Sequence, residues 1–357
     1  MITGNKGEWS EIYALFKLLG DTQLFAGDAN LNKIEKVFYP IIKIIRNESG
    51  VNFEYGIDDD LVIISGENEE LRIPVKTFHE QAVLLLTAIK EATGTFRIPE
   101  TEEFMNSVNC HTLKAKSTSK TDIRIVIHDK KINQSADLGF SIKSQIGGDS
   151  TLLNAGKTTN FIYGIESFKP TEQEIESINE IKTRSKIKDR IQAIKKQGGQ
   201  FHFLKLENSI FSNNLVLIDS LLPNILSEIL LLFYTSDLSS IKSITRNLTE
   251  ANPINYDNQY EHRFYEYKIK HFLTDIALGM MPSIVWTGIY DATGGYLVIK
   301  EDGEVLCYHI YNRNEFENYL FANTKLETAS STRHNFGKLY QENGQFYFKL
   351  NLQIRFM

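Results

Sequence analysis

The sequence predicts a mixed α/β protein of the α+β kind, with a mixed sheet flanked by helices and a β-rich C-terminal region. Three observations carry this. Near the N-terminus Ile12, Leu15, Phe16 and Leu19 recur at helical spacing in a stretch that starts at Glu8. In the middle of the chain Asp122, Arg124, Val126 and His128 alternate with Ile123, Ile125 and Ile127, the period of a strand. Near the C-terminus Asp302-Gly303 and Asn343-Gly344 sit between apolar runs, the signature of tight hairpins.

The elements follow in order. The first helix, Glu8–Leu19, begins just after Gly4-Asn5. A second helix is expected over Asn30–Arg46, where Ile34, Val37, Phe38, Ile41, Ile42 and Ile45 return at helical spacing. Short strands joined by acidic turns fill Val51–Val75, and Thr77–Ala92 is a third helix. The Asp122–His128 strand leads through a polar turn to a strand over Leu138–Gln145. The charged stretch Thr171–Lys196 reads as helical and closes at Gly198-Gly199, so a boundary is expected near residues 170–200. Gln200–Glu207 is a strand and Tyr260–Gly279 a helix. The most apolar segment, Leu215–Phe233, contains Asp219, Pro223 and Glu228, which suits a buried helix better than a membrane span. No internal repeat or low-complexity segment is visible.

Composition narrows the function classes. The 357 residues are 42% hydrophobic and 24% charged, as in a soluble globular protein. Two cysteines, Cys110 and Cys307, exclude a disulfide framework, and the N-terminus has no signal-like apolar run, so a reducing cytoplasmic setting is expected. The net charge of -6 argues against a general nucleic-acid binder. Basic residues cluster locally, however: Lys182–Lys196 holds seven basic residues and one acid, and a second stretch runs through His111, Lys114, Lys116, Lys120 and Arg124. Either cluster also fits a solvated face.

The chemistry centres on "GFSIKSQIGGDS", Gly139–Ser150. Metal-dependent nucleases often carry an acid two places before a catalytic lysine. Here Lys143 is present and Ser141 stands in the acidic place. If the hairpin turns between Ile132 and Asn133, Asp122 lies opposite Lys143 and Arg124 opposite Ser141. An aspartate and a lysine so placed suit phosphodiester hydrolysis: the carboxylate holds Mg²⁺, and the lysine orients or deprotonates the attacking water. The same pair also describes an ordinary surface ion bridge. A further carboxylate is expected from the first helix, Glu8 by preference and Glu11 as the neighbour.

Other signals fail. "AGKTT" resembles the end of a P-loop, but Thr151 occupies the required glycine position. Cys110-His111 and Cys307-x-His309 lack any C-x₂-C partner, so buried thiols and surface histidines are expected rather than zinc.

"ITGNKGEWSEIYALFKLL", "TDIRIVIHDKK", "LGFSIKSQIGGDSTLLNAGKTTNFIY" and "KLNLQIRF" resemble, in order, the HpaII-type restriction endonucleases of the wider PD-(D/E)xK nuclease superfamily. The resemblance implies a Mg²⁺-dependent type II endonuclease that cuts duplex DNA at CCGG, paired with a methyltransferase that protects the site. It implies Asp122 as the aspartate of the motif and Lys143 as its lysine; Ser141 departs from the acidic position. The stand-in for that acid is then Glu8, with Gln145 second, and Glu11 and Asp149 as other candidates. Residues 1–170 are expected to form the nuclease region and 171–357 the recognition and dimerisation region. A palindromic target suggests a homodimer.

DNA contacts are expected at three places. In "KLNLQIRF", Lys349, Asn351, Gln353 and Arg355 share one strand face and are of the types that read base edges, although an amphipathic strand with a wet face looks the same. Arg333 and His334 sit in a hydroxyl-rich loop, and Asn154, Lys157, Thr158, Thr159 and Asn160 lie just past the lysine strand. Two rivals stand beside this reading: a nicking or repair nuclease of the same fold, and a DNA binder whose site has lost its chemistry.

Overall fold

An asparagine and a glutamate start the first helix. In the computed structural model, which describes residues 2–66, 69–114, 121–130 and 133–357, Asn5 caps the Lys6–Asp21 helix. Its side chain accepts from the Glu8 amide at 3.1 Å, and the Glu8 carboxylate accepts from the Asn5 amide at 2.9 Å. The helix is buried nearly all round, through Trp9, Ile12, Tyr13, Phe16 and Leu19, so it forms the spine of a core rather than a surface layer. The Val75–Glu91 helix packs on it, close enough that a Cβ on Gly20 would lie 2.8 Å from the His79 backbone.

The chain forms two compact units: Met1–Ser150 with Ala277–Gly279 and Tyr290–Tyr319, and Thr151–Ile276 with Met280–Ile289 and Leu320–Met357. The boundary expected near 170–200 therefore lies at Ser150, and the chain later re-enters the first unit. The re-entry has a structural cause. The Gly295–Ile299 and Val305–His309 hairpin supplies interior strands to the first unit's sheet, which no local pattern near residue 170 could announce.

Among the described residues that sheet has nine strands, in the order Gln23–Gly27, Val305–His309, Gly295–Ile299, Gln134–Ser144, Ile123–Asp129, Lys33–Glu48, Val51–Asp58, Leu61–Gly66 and Glu69–Pro74. Two pairings are parallel, Gly295–Ile299 with Gln134–Ser144 and Val305–His309 with Gln23–Gly27. The first strand also pairs with Lys33–Glu48, which closes six of the strands into a ring.

The expected helix over Asn30–Arg46 is instead the Lys33–Glu48 strand. β-Branched residues and the interior Pro40 favour extended backbone. A register shift between Ile41 and Lys43 explains the misleading spacing. It places Ile41 (4% exposed) and Ile44 (0%) on the same core face three residues apart, imitating a helical step.

In the second unit Gln200–Leu206, Asn160–Glu166, Gln345–Asn351 and Leu339–Glu342 form an antiparallel sheet in that order. Thr151–Leu153, Ile354–Phe356 and Thr324–Leu326 form a smaller sheet. The charged Thr171–Lys196 stretch folds as two helices, Glu172–Glu180 and Lys186–Lys196. The apolar Leu215–Phe233 segment is likewise two helices, Ser209–Ile218 and Leu222–Thr235, bent by 108°. Asp219 ends the first and pairs with Lys268, and Pro223 opens the second. Among the described residues no single helix is long and apolar enough to cross a membrane.

Two histidines expected at the surface part company. His111 is exposed, whereas His309 is 0% exposed, ringed by Tyr39, Phe140 and Tyr311, with Nδ1 accepting from the Tyr311 amide at 2.9 Å. Burial pushes its pKa down to about 4, against a smaller opposing pull from Asp129. The folded chain therefore resists protonation that the unfolded chain accepts. The associated stability is full above about pH 6.5 and is lost as pH falls towards 4. Thermal melts of His309→Asn are expected to show a flatter acid limb over that window than wild type.

The strand phase has its own test. Ile44→Ala should cost about 2–5 kcal/mol in urea unfolding. Ile42→Ala, at a residue 38% exposed, should cost under about 1 kcal/mol. A helix over this segment would bury Ile42 instead.

Candidate active site

The lysine strand and the aspartate strand pair with Ile123 opposite Phe140 and Arg124 opposite Gly139. This register is two residues from the one expected. Asp122 consequently meets Ser141, not Lys143, and Arg124 pairs with Asp137 at 3.0 Å rather than facing Ser141. Asp129 pairs with Gln134, residues 131 and 132 lie outside the described residues, and a pairing centred one residue earlier than expected is a two-residue slip in register. Lys116 and Lys120 of the second basic stretch also lie outside the described residues.

The slip gives Ser141 a definite job. Its hydroxyl, on a side chain only 3% exposed, donates to Asp122 Oδ2 at 3.0 Å, and the Ile142 amide donates to the same oxygen at 2.7 Å. Both bonds land on Oδ2, so Oδ1 is the oxygen of this carboxylate that can take a ligand. An acid at position 141 would press a second negative charge against Asp122; the serine supplies a donor instead.

Glu11, not Glu8, is the helix carboxylate whose charge bears on both neighbours. Burial pushes the Glu11 carboxyl up to about 8, and the Asp122 and Glu8 charges push the same way, against Lys114 and Arg46. Lys143 is half-buried with its ammonium 5.2 Å from the Tyr296 ring centre. Burial pulls its pKa down, while Asp122 and Glu11 pull it back up. Glu8, the preferred candidate, is held in the helix cap by Asn5 and lies 3.7 Å from Lys114. The two glutamates differ by three positions on one helix, and the apolar periodicity alone does not separate them. Gln145 continues the lysine strand through its amide, which donates to the Ile299 carbonyl at 2.9 Å, and among the described residues no hydrogen bond joins its side chain to the site. Asp149 is exposed in the following loop.

The floor of the site is tied down. Ser10 Oγ lies 2.8 Å from the Lys6 carbonyl and 2.9 Å from Ser144 Oγ, linking the turn of helix that bears Glu11 to the strand that bears Lys143. Nearby, Arg46 and Glu48 form a buried ion pair at 2.5 Å, and Thr112 donates to Glu48 at 2.9 Å. That pair was missed from sequence, because a salt bridge inside a strand wrongly read as a helix leaves no signal.

Among the described residues no three His, Cys, Asp or Glu side chains converge on one point as a ready-made cation site. The donor set is nonetheless suited to a hard divalent cation. The Asp122 and Glu8 charges oppose the ionisation of Glu11, and a cation would relieve that repulsion. Mg²⁺ characteristically takes one or two protein carboxylates and completes its shell with water and substrate phosphate.

The proposed DNA-contact residues divide sharply. Asn154, Lys157 and Arg333 are exposed, and Thr158, His334 and Gln353 are half-buried. Thr159, Asn160 and Asn351 are buried and cannot reach a groove as expected. The Asn351 amide donates to the Gly156 carbonyl at 2.7 Å and Asn160 Oδ1 at 2.7 Å, and Asn160 donates to Glu207 at 2.7 Å and the His334 carbonyl at 2.9 Å. Lys349 is bound to Glu207 at 2.8 Å and Arg355 to Glu327 at 2.8 Å. The expected single strand "KLNLQIRF" is broken after Asn351 and changes sheet, so alternation does not carry the polar set to one face.

Paired carboxylates, a half-buried lysine and a serine-anchored aspartate are the equipment of a phosphodiester hydrolase. Comparison with known proteins fixes the class. Residues 5–356 match the HpaII restriction endonuclease family, and the chain belongs to it. It is 50% identical over 359 residues to the type II restriction enzyme HpaII of Haemophilus parainfluenzae, covering 99% of each chain. No solved structure matches it. The protein is thus a type II restriction endonuclease, a site-specific deoxyribonuclease acting on DNA.

The buried asparagine and the exposed arginine should behave oppositely. Asn351→Ala, which strands buried acceptors, is expected to cost about 1–3 kcal/mol in denaturant titration. Arg333→Ala should leave the unfolding midpoint unchanged.

Proposed function

We propose that the enzyme makes double-strand breaks at CCGG, using Mg²⁺ held by Asp122 and Glu11, with Lys143 at the attacking water. The observation that carries the reading is the two-point anchoring of Asp122 Oδ2 by Ser141 and the Ile142 amide beside Glu11 and Lys143. The 50% identity to HpaII across the whole chain supports the target sequence. A PD-(D/E)xK core fits an aspartate leading one strand and a lysine on its neighbour, with the acid that the wider superfamily carries at position 141 supplied instead by the first helix. A homodimer would present one such site to each strand of a palindrome. A cytoplasmic setting and a partner methyltransferase protecting the same site complete the reading.

When bound, the cation would neutralise the scissile phosphate and acidify water. Asp122 is oriented for that role by its two donors. Glu11, whose ionisation is opposed by burial, would be the second carboxylate to hold the cation. Lys143, its pKa drawn down by burial, can orient or deprotonate the water and offset the charge that develops on phosphorus. Ser141, which stands in the acidic place of the motif, becomes the aspartate's positioning residue, and Gln145, the second candidate for the missing acid, a neighbour on the same strand.

Plasmid digestion with Mg²⁺, followed by sequencing of the ends, tests the reading. Uniform double-strand ends within CCGG are expected; single nicks or another sequence would overturn it. Lys143→Ala and Glu11→Gln should each slow single-turnover cleavage by about 10²–10⁴-fold. Glu8→Gln should stay within about 10-fold, and Ser141→Ala should lose about 10–100-fold.

A further inference from the structure

A cleft of about 340 Å³ in the second unit is lined by two segments far apart in sequence, 184–188 and 328–332, and by Tyr234. Arg184, Lys186 and Lys188 supply cations, Ser330, Ser331 and Thr332 supply hydroxyls, and no Asp or Glu lines it. Buried contacts hold the two segments together. The Arg190 guanidinium, 4% exposed, donates to the Gly337 carbonyl on one side and to the Asn179 and Ile181 carbonyls on the other. Gly337, at φ +75°, is pressed so closely on Ile187 that a Cβ there would sit 2.8 Å from Ile187 Cγ1.

These contacts also account for much of the basic run. Arg190 is spent on backbone carbonyls, and Lys188 donates to the Ser236 carbonyl and lies 3.3 Å from Asp237. Among the described residues Arg184 and Lys186 have no carboxylate partner. Two uncommitted cations beside several hydroxyls, in a recess lined by no acid, match a tetrahedral oxyanion and would repel a cation.

We propose that this cleft holds a backbone phosphate of duplex DNA and anchors the second unit on the duplex without reading its sequence. The inference rests on duplex DNA as the substrate. It assigns the binding role to Arg184 and Lys186, not to the whole run Lys182–Lys196. Lys195 and Lys196, exposed on the same helix, do not line the cleft.

The test measures binding of the full-length protein to a CCGG duplex and to an unrelated duplex over a range of salt, without divalent cation. In the double variant Arg184→Gln/Lys186→Gln the slope of log K against log salt should become shallower by about 1 on both duplexes. The double variant Lys195→Gln/Lys196→Gln, with the same change in charge, should keep the wild-type slope. Both pairs share exposed or half-buried positions, and matching thermal melts check their folding. An unchanged slope for the cleft pair, or an equal change for both pairs, overturns the proposal while wild-type cleavage leaves the enzyme's function intact. A wild type that neither binds nor cuts duplex DNA would overturn the substrate assignment and this proposal with it.

Discussion

The two hydrogen bonds received by Asp122 Oδ2 are the contact on which the site depends. One donor is the Ser141 side chain and the other is the next residue's amide, so they fix the aspartate to the lysine strand at one register. A slip of a single residue would turn every side chain of that strand to the other face, sending Lys143 into the core and Phe140 out of it. The site and the core packing therefore select the same register. The parallel partner Gly295–Ile299 holds the strand from its other edge.

The electrostatics favour an acid on the helix over one at position 141. The Asp122 and Glu8 charges oppose the ionisation of Glu11, with Lys114 and Arg46 as counterweights. A further acid at position 141, already against Asp122, would deepen that repulsion in a buried place. Ser141 instead lowers the cost of burying Asp122 by donating to it. The buried Arg46–Glu48 pair, satisfied also by Thr112, keeps a positive group near the cluster.

Much of this was legible in the sequence, for identifiable physical reasons. The first helix, the alternating Ile123–Asp129 strand and both glycine-turn hairpins follow local rules of capping, period and turn chemistry. The Lys33–Glu48 strand did not, because a bulge gave it a three-residue spacing that mimics a helix. Asp122 and Lys143 were visible as a pair on adjacent strands, but their register was not, since it depends on the turn and on core packing. Choosing Glu11 over Glu8 required knowing that the cap consumes Glu8. Asn160 and Asn351 looked like base readers because composition records donor types and not depth; burial reveals them as the bonds that hold their own loop.

The central claim is that Glu11 and Asp122 together hold the divalent cation. Calorimetric titration of Mg²⁺ into wild type, Glu11→Gln and Glu8→Gln, each carrying Lys143→Ala to suppress cleavage and bound to the CCGG duplex, tests it most directly. The account predicts at least about 10-fold weaker cation binding for Glu11→Gln and near wild-type binding for Glu8→Gln. Weakened binding in Glu8→Gln with Glu11→Gln intact would contradict it.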